Sequence, residues 1–405
     1  MKEKRSFWQG ALCGALAVLL IICIGLGIFF ILSPGMMPLK QPEGGVVDDA
    51  TEKKLEKIQS IIDQAYLYHK DIDEEVLQEA IIDGYVAGLN EPYSVYYNEE
   101  ETTTLFQSTS GVFGGIGVQI SQDITNMVMT FVKVYEDNPG DDAGFLNGDI
   151  LYKVDGEDVT GQPLDTVVAK IRGEVGTQVE ITVLRGDNMK EYTSKVTRAL
   201  IENDTVNYEM KEDKIGYISI SGFEEVTYSQ FDDALTQLTK EGMKSLIVDL
   251  RGNPGGNLAT VVEMCDLILP KGTIVSIKDR NGKGTVYSSD NKSKLDVPLV
   301  VLIDGNSASA SEIFAGAVKD YEIGTLVGTK TFGKGIVQNI YDLGDGTSLK
   351  ITGSEYFTPN GTNIHGIGIA PDVEIPYEYD KENPDADNQL DKAIEILKNG
   401  GKKND

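Results

Sequence analysis

Two apolar runs, each leading through a loop of small residues into a helical pattern, constrain the fold of this chain most. The first covers residues 245–250 and ends in the glycine-rich loop 251–256; the second covers residues 297–304 and ends in the serine-rich loop 305–312. Continuous apolar strands that alternate with helices are typical of an α/β layer whose sheet is covered on both faces. Active groups in such sheets lie beyond the carboxyl ends of the strands, so both loops are candidates for a functional site.

The serine-rich loop offers three candidate nucleophiles, Ser307, Ser309 and Ser311, and their spacing alone does not choose among them. Each could equally cap the helix that follows. Small alanines separate the serines and allow a peptide backbone to approach closely. The glycine-rich loop presents backbone N–H groups without side chains in the way, as an oxyanion site requires, although glycines also favour an ordinary tight turn.

A serine nucleophile needs a base, and the scarcity of histidine limits the choice. The chain has two histidines: His69 falls in a helical pattern, and His365 falls in a glycine-rich stretch. Lysine is the remaining common base for serine, and Lys334 stands between two glycines. Its ordinary interpretation is a surface lysine in a turn. A catalytic role requires a site that removes its proton by desolvation.

The amino terminus predicts a membrane anchor. Residues 10–32 are almost wholly apolar, and no charged residue lies between Arg5 and Lys40. As a helix this run rises about 34 Å, enough for a hydrocarbon core of about 30 Å. A cleaved signal peptide, the alternative, has a shorter apolar region and an Ala-x-Ala-like site. We expect residues 1–33 to form a cytoplasmic tip and one transmembrane helix in the cell membrane, with all later residues outside the cytoplasm.

The residues that follow the predicted anchor divide into four regions by their sequence patterns. Residues 34–105 predict a linker and then helices, residues 106–198 predict short strands, and residues 199–378 hold the α/β core. The tail, residues 379–405, contains an amphipathic helical pattern. Together with the first helices it could form a contact between two copies of the chain, and it could equally pack on its own core. The sequence leaves both open.

Composition narrows the partners. The chain has 36 Lys and Arg against 64 Asp and Glu, a formal charge of −28, which repels phosphate backbones and excludes nucleic acid. Three cysteines without a Cys-x-x-Cys pair predict neither a disulfide framework nor structural zinc. We expect no metal and no cofactor.

Residues 106–198 resemble a PDZ domain. The resemblance rests on the glycine turn Phe113-Gly114-Gly115-Ile116-Gly117-Val118, on Asn138-Pro139-Gly140-Asp141-Asp142-Ala143-Gly144-Phe145-Leu146-Asn147-Gly148-Asp149-Ile150-Leu151, and on Val154-Asp155-Gly156. It implies that the N–H groups of Gly115, Ile116 and Gly117 hold a free C-terminal carboxylate. Arg172 follows the domain's predicted helix. It could pair with acidic groups on a ligand, although such an arginine is more often a solvated surface residue.

The core resembles the carboxy-terminal processing proteases, also called tail-specific proteases. The resemblance rests on Asn306-Ser307-Ala308-Ser309-Ala310-Ser311-Glu312, Thr331-Phe332-Gly333-Lys334-Gly335 with Val337-Gln338, and Gly368-Ile369-Ala370-Pro371-Asp372-Val373. It implies endopeptidase cleavage near protein C-termini by a Ser-Lys mechanism. It also implies an α/β protease core with a mixed sheet and covering helices, an inserted, mainly β PDZ domain, and an N-terminal helical segment after one transmembrane helix.

The resemblance also assigns roles residue by residue. Ser309 becomes the nucleophile, Lys334 the general base and Gln338 the residue that orients the lysine. The remaining assignments are the oxyanion donors Ala310 and Gly255 and a supporting carboxylate, Asp320. Asp320 could equally be a charge at the end of a solvated helix. On a regular strand, Lys334 and Gln338 would lie about 13 Å apart, so their contact requires an irregular backbone or an indirect route.

The resulting hypothesis is a membrane-anchored, extracytoplasmic serine endopeptidase that captures protein C-terminal tails through its PDZ domain. Its partners would be protein substrates with accessible tails, the membrane and a second copy of the chain. The alternative is a PDZ-based adaptor whose protease-like core only binds.

Overall fold

The computed structural model describes residues 45–400 except residues 124, 187, 291, 293, 294 and 384. The predicted anchor, residues 1–33, lies outside the described residues. Within the described stretch, no helix is both long and apolar enough to cross a membrane. The chain divides into two units; the first runs up to Glu99 and includes Asn339–Ile351, and the second holds the remainder.

The first unit contains the predicted N-terminal helices. Its opening elements are α1 (Asp49–Ala65), a 3₁₀ turn (His69–Asp71), α2 (Glu74–Ala87) and β1 (Val95–Tyr97). Each α-helix begins at an aspartate that satisfies first-turn N–H groups: Asp48 accepts from Thr51, and Asp73 from Glu75. β1 pairs antiparallel with residues 348–350 of a later strand. The prediction of helices in this region is confirmed.

The inserted domain is a small, mainly antiparallel β structure. Its elements, after α3 (Glu99–Ser110), are β2 (Val112–Gly115), β3 (Val118–Asp123), β4 (Val128–Val134), α4 (Pro139–Asp142), β5 (Ile150–Val154), β6 (Glu157–Asp158), α5 (Leu164–Ile171), β7 (Gln178–Arg185), β8 (Lys190–Thr197) and β9 (Ala199–Glu202). The strands β3-β4-β5-β7-β8 form one sheet in that order, with β6 beside β5. Fully buried Phe131 and Phe145 meet edge to face, 5.5 Å apart, in its core.

The core that follows is a mixed sheet covered by helices. Its elements are β10 (Val206–Lys211), a 3₁₀ turn (Glu212–Lys214), β11 (Ile215–Ile220), α6 (Thr227–Lys240), β12 (Ser245–Asp249), α7 (Leu258–Asp266), β13 (Gly272–Asp279), β14 (Gly284–Ser289), β15 (Leu299–Ile303), α8 (Ala310–Asp320), β16 (Gly324–Gly328), β17 (Ile336–Asp342), β18 (Ser348–Phe357), β19 (Val373–Glu374) and α9 (Asn388–Lys398). The sheet order is β10-β11-β12-β15-β16-β19, antiparallel at β10–β11 and parallel elsewhere. A second sheet pairs β13 with β14 and with the end of β18.

The two apolar runs occupy adjacent central positions. Every residue of β12 and β15 is buried. Because side chains alternate along a strand, Leu246 and Val248 face the core that α6, α7 and α8 share, while Ile247 faces the opposite side. The prediction of an α/β core with strands covered on both faces is confirmed. Both candidate loops follow the carboxyl ends of neighbouring parallel strands, so the fold brings them together.

The C-terminal helix α9 packs on its own sheet. Ala393, Ile396 and Leu397 are buried in one cluster with Ile247 and Val300 on the face opposite α6–α8. Of the two placements that the sequence left open for this helix, the described residues show packing on its own core.

Arg251 fixes the start of α9 beside the strand ends. Its Nη2 atom donates to Asp249 Oδ2 at 2.6 Å and to Asp387 Oδ2 at 2.7 Å, and Asp387 caps α9. Burial lowers the pKa of Arg251, but its hydrogen bonds to the two aspartates outweigh burial and raise the pKa above its ordinary value. Burial and the charge of Asp249 likewise raise the pKa of Tyr217, whose hydroxyl donates to Asp249.

Candidate functional site

Ser309 occupies a strained turn between β15 and α8. Its backbone dihedrals are φ +54° and ψ −112°, a combination that non-glycine residues rarely adopt. A serine on a sharp strand-to-helix turn exposes its hydroxyl at the end of the sheet. Ser309 is half-buried, so its side chain lies at the surface of the core.

The structure separates the three serines that spacing could not. Ser307 is fully buried, and its hydroxyl donates to the Leu250 carbonyl at 2.8 Å. Ser311 is also fully buried, and its hydroxyl donates to the Asn253 carbonyl at 2.9 Å. These two hydroxyls bind the serine-rich loop to the glycine-rich loop. Ser309 is the accessible serine of the three.

Glu312 connects the Ser309 turn with the lysine loop. Its side chain is fully buried, and four donors converge on its carboxylate. Thr331 Oγ1 and the Gly333 N–H donate to Oε1 at 2.6 and 2.7 Å, and the N–H groups of Ser309 and Lys334 donate to Oε2 at 2.9 and 2.8 Å. The backbones of the predicted nucleophile and base therefore lie within two hydrogen-bond lengths of each other.

A buried tyrosine supports the same turn from the other side. The Tyr356 hydroxyl donates to the Ser309 carbonyl at 3.0 Å, and the side chain is 1% exposed. Burial raises the pKa of Tyr356 well above its ordinary value, and nearby Glu312 adds to the increase. The hydroxyl therefore stays protonated and remains a donor to the turn.

Lys334 lies in irregular backbone just before β17. That strand begins at Ile336, so the separation expected for a regular strand from Lys334 to Gln338 does not apply. Gln338 lies on β17, and its Nε2 atom donates to Thr352 Oγ1 at 3.2 Å. Orientation of the lysine by Gln338 stays a prediction.

Gly255 lies directly against the Ser309 turn. A Cβ atom on Gly255 would lie 2.6 Å from the Ala308 carbonyl, 2.8 Å from Ser309 Cβ and 2.9 Å from the Ala310 nitrogen. Its φ of +100° also favours glycine. Its N–H, however, donates at 2.8 Å to the side chain of Asn253. In this structure the predicted oxyanion donor at Gly255 is therefore engaged elsewhere.

Ala310 provides the other predicted oxyanion donor. It is the first residue of α8, where helical N–H groups have no partner within the helix. Among the described residues, no acceptor takes a hydrogen bond from its N–H. A helix N-terminus also favours a developing negative charge.

Three further candidates are Asp320 and the two histidines. Asp320 ends α8, about 16 Å along the helix axis from Ser309, and accepts a hydrogen bond from the Asn360 N–H at 2.8 Å. The His365 backbone packs against Gly335 next to Lys334, but the His365 residue is exposed. His69 is an exposed residue of the first unit.

The glycine turn of the inserted domain lines a separate pocket of about 280 Å³. Gly115, Ile116 and Gly117 lie at this pocket together with Ile171 and Arg172. The Arg172 guanidinium stacks 3.9 Å above the Phe113 ring, and burial lowers its pKa even though Glu224 favours the charged form. The pocket thus combines the backbone of the glycine turn, the apolar side chain of Ile171 and the positive charge of Arg172.

Three family models match this chain. The model for peptidase family S41 matches residues 214–375, the PDZ domain model matches residues 130–185, and a model described as the activating protease CtpB N-terminal domain matches residues 38–102. The chain belongs to peptidase family S41. Its S41 region holds both candidate loops and the Lys334 loop.

Two sequence relatives of this S41 protein bear the same name. A CtpA-like serine protease of Staphylococcus haemolyticus (strain JCSC1435) is 38% identical over 311 residues, which are 76% of this chain and 62% of that protein. Another, of Staphylococcus aureus (strain N315), is 38% identical over 332 residues, 81% of this chain and 65% of that protein. This chain therefore spans less than two thirds of the length of these relatives.

A solved structure shares the fold. It comes from Bacteroides fragilis NCTC 9343 and is named as an S41 protease; it is 16% identical, covers 90% of this chain and 100% of its own, and has a TM-score of 0.51. With the S41 and PDZ family matches, the fold of this chain is a mixed α/β protease fold with an inserted PDZ domain.

Sequence reasoning missed two buried residues of the S41 site, Glu312 and Asn253. A signal for Glu312 was present, because Ser309 and Glu312 have the Ser-x-x-Glu spacing of a capping box before an apolar helix. No comparable signal marks Asn253. No metal is predicted here, and within residues 45–400 as described no cluster of three His, Cys, Asp or Glu side chains forms a metal site.

Proposed function

We propose that this protein is a serine endopeptidase that cleaves proteins near their C-termini, with Ser309 as nucleophile and Lys334 as general base. The observation that carries the proposal is the shared carboxylate: Glu312 holds the backbones of both residues at the end of the sheet. The strained turn presents Ser309 outward, while Ser307 and Ser311 are consumed by structural hydrogen bonds.

The chemistry is an acyl-enzyme mechanism. The Ser309 oxygen attacks the scissile carbonyl carbon, the neutral Lys334 amine takes the hydroxyl proton, and the carbonyl electrons move to oxygen. Collapse of this intermediate breaks the C–N bond, and the lysine returns the proton to the leaving amine. Water then repeats the sequence on the ester and releases Ser309. The Ala310 N–H at the start of α8 supports stabilisation of the oxyanion.

We propose that the PDZ domain selects substrates by their tails. The pocket at Gly115, Ile116 and Gly117 offers backbone N–H groups for a terminal carboxylate and apolar surface at Ile171 for the last side chain. Arg172 adds a positive charge at the same pocket. An unstructured, apolar C-terminal tail is the ligand that this chemistry fits.

We also propose that the protein is anchored in the cell membrane and works outside the cytoplasm. The apolar run at residues 10–32 and the preceding basic residues support this topology. Self-association is a further proposal, supported by exposed apolar side chains on α1 such as Leu55, Ile58 and Ile61.

The decisive experiment incubates the full-length protein with a folded protein that ends in an unstructured, apolar tail. Ser309→Ala and Lys334→Ala should each abolish cleavage, whereas Lys330→Ala, a change of an exposed lysine in the same loop, should leave it within about twofold. Mass mapping of product C-termini locates the cut. Tail binding without turnover by the wild type would establish the adaptor instead, and full activity of Lys334→Ala would remove lysine from the mechanism.

A further inference from the structure

Asn253 lies at the junction of the glycine-rich loop, the serine-rich loop and the end of β11. The residue is fully buried. Its side-chain Nδ2 donates to the Ile220 carbonyl at 2.8 Å, while its backbone carbonyl accepts from the Ala308 N–H at 3.1 Å and from Ser311 Oγ. The two bonds to the carbonyl hold the Asn253 backbone, and the Nδ2 bond orients the side-chain amide and hence its Oδ1 atom.

The Oδ1 atom of Asn253 accepts a hydrogen bond from the Gly255 N–H. That hydrogen bond is 2.8 Å long, and the Gly255 carbonyl is held separately by the Phe223 N–H at 3.0 Å. A Cβ atom on Gly255 would nevertheless lie 2.8 Å from Ser309 Cβ and 2.9 Å from the Ala310 nitrogen. The glycine therefore sits at the reacting centre, but its donor is occupied by a neutral acceptor inside the protein.

We propose that Asn253 is a positioning residue that holds the Gly255 N–H in reserve, and that this N–H transfers from Asn253 Oδ1 to the substrate oxygen when negative charge develops there. The inference rests on the proposed function, since it requires attack by Ser309. A negatively charged substrate oxygen competes well with the neutral Asn253 Oδ1 for this N–H, because hydrogen bonds to ionised groups are about twice as strong as those between neutral groups. Before attack, the site then has the Ala310 N–H as its ready donor.

The physical consequence is selectivity for the transition state. A neutral substrate carbonyl competes with Asn253 on equal terms and gains little from Gly255, whereas the oxyanion gains a second donor. Only interactions stronger in the transition state than in the ground state raise kcat. Changes at Asn253 should therefore alter kcat and the affinity for transition-state analogues, and leave KM unchanged.

The direct test is a crystal structure of the full-length wild type with a peptide boronic acid. Ser309 Oγ adds to boron as the base takes its proton, and an oxygen of the resulting negatively charged, tetrahedral boronate takes the place of the oxyanion. We expect the Gly255 nitrogen within about 3.2 Å of that oxygen and beyond hydrogen-bond distance of Asn253 Oδ1. A complex in which the Gly255 N–H still donates to Asn253 overturns the inference.

Kinetics give an independent test. Asn253→Asp places a carboxylate at the competing acceptor, so kcat and affinity for the boronic acid should both fall at least tenfold with KM unchanged. Asn257→Asp makes the same chemical change at the cap of α7, where a carboxylate also accepts the first N–H groups, and should leave all three constants within twofold.

Asn253→Ala distinguishes the proposed role of Asn253, which is to hold the Gly255 N–H until the oxyanion forms, from a purely structural role (a scaffold). It removes both side-chain hydrogen bonds, so a scaffold role predicts a kcat no higher than that of Asn253→Asp. The proposal predicts a kcat at least tenfold above it, because Gly255 then has no charged competitor. Should alanine prevent folding, the boronic acid complex still decides. Activity of Ser309→Ala would instead show that the proposed function itself is wrong.

Discussion

Ser309 and Lys334 donate their backbone N–H groups to one and the same oxygen atom, Oε2 of Glu312. The other oxygen of that carboxylate holds Thr331 and Gly333. A single buried side chain thus sets the distance between the turn that carries the proposed nucleophile and the loop that carries the proposed base. Neither loop can shift alone without leaving donors unpaired.

Glu312→Gln tests this connection. The amide keeps the size of the side chain but turns an N–H₂ group towards two of the four donors. Leaving buried donors unpaired costs about 1–3 kcal/mol each, and 1.36 kcal/mol is about tenfold in rate. We expect kcat for cleavage of a tailed substrate to fall at least about a hundredfold, with a lower melting temperature. Glu263→Gln on the exposed side of α7 is the control; a kcat within twofold of wild type for Glu312→Gln would refute the connecting role.

Gly255→Ala tests the close approach at the Ser309 turn. The new Cβ atom would lie 2.6 Å from the Ala308 carbonyl and 2.9 Å from the Ala310 nitrogen, so we expect activity to fall by about two orders of magnitude or more. Gly252→Ala is the matched control, because Gly252 also has a left-handed φ, +71°, but meets nothing within 4 Å. It should lose about 1 kcal/mol of stability and keep its activity. Equal kinetics for the two variants would remove the steric argument.

Asp387→Asn tests the anchor of α9 and its dependence on pH. Burial raises the pKa of Asp387, but the hydrogen bond from Arg251 outweighs burial, so the pKa lies below its ordinary value. The stability from this carboxylate is therefore complete above about pH 4 and is lost as the pH falls through the lowered pKa. Urea unfolding should show a loss of about 1–3 kcal/mol at pH 7 that shrinks below pH 4.

The exposed pair Asp290–Lys292 supplies the control for that experiment. Asp290→Asn should leave the unfolding midpoint at pH 7 nearly unchanged, because solvent screens exposed ion pairs. An equal effect of the two aspartate variants, or an Asp387→Asn deficit that persists undiminished at pH 3, would contradict the assignment.

Gly117→Ala tests tail capture by the PDZ pocket. Gly117 has a φ of +70°, and an added Cβ atom would lie 2.3 Å from Asn138 Cβ. We expect affinity for a labelled apolar peptide, measured by fluorescence anisotropy, to fall at least tenfold. Gly148→Ala, at φ +90° and in open space, should bind normally. Amidation of the peptide C-terminus should reproduce the loss in the wild type, and equal binding of amidated and free peptides would rule out carboxylate recognition.

The layers of the fold could be predicted because a strand that is buried on both faces has a continuous run of apolar residues. The run at residues 245–250 is apolar on both faces, which predicts a strand covered on both sides, and β12 is fully buried. The partner of α9 could not be predicted in this way. Its apolar stripe at Ala393, Ile396 and Leu397 specifies that something covers it, but not which surface does.

Only part of the site could be predicted from the sequence. Spacing left Ser307, Ser309 and Ser311 equivalent. They differ because the hydroxyls of Ser307 and Ser311 donate to carbonyls of a loop that is distant in sequence. The role of Asn253 depends on contacts with three separate segments. Local patterns cannot reveal such long-range contacts.

The pairing of β2 with β9 determines how the PDZ domain joins the core. These two strands run antiparallel, with Val112 opposite Glu202 and Gly115 opposite Ala199. The chain thus leaves and rejoins the core at neighbouring points, and β2 and β9 form a two-stranded stem that carries the PDZ domain. Under the proposed function, modules with other tail preferences could be exchanged at this stem without rerouting the rest of the backbone, which offers a route to proteases of altered specificity.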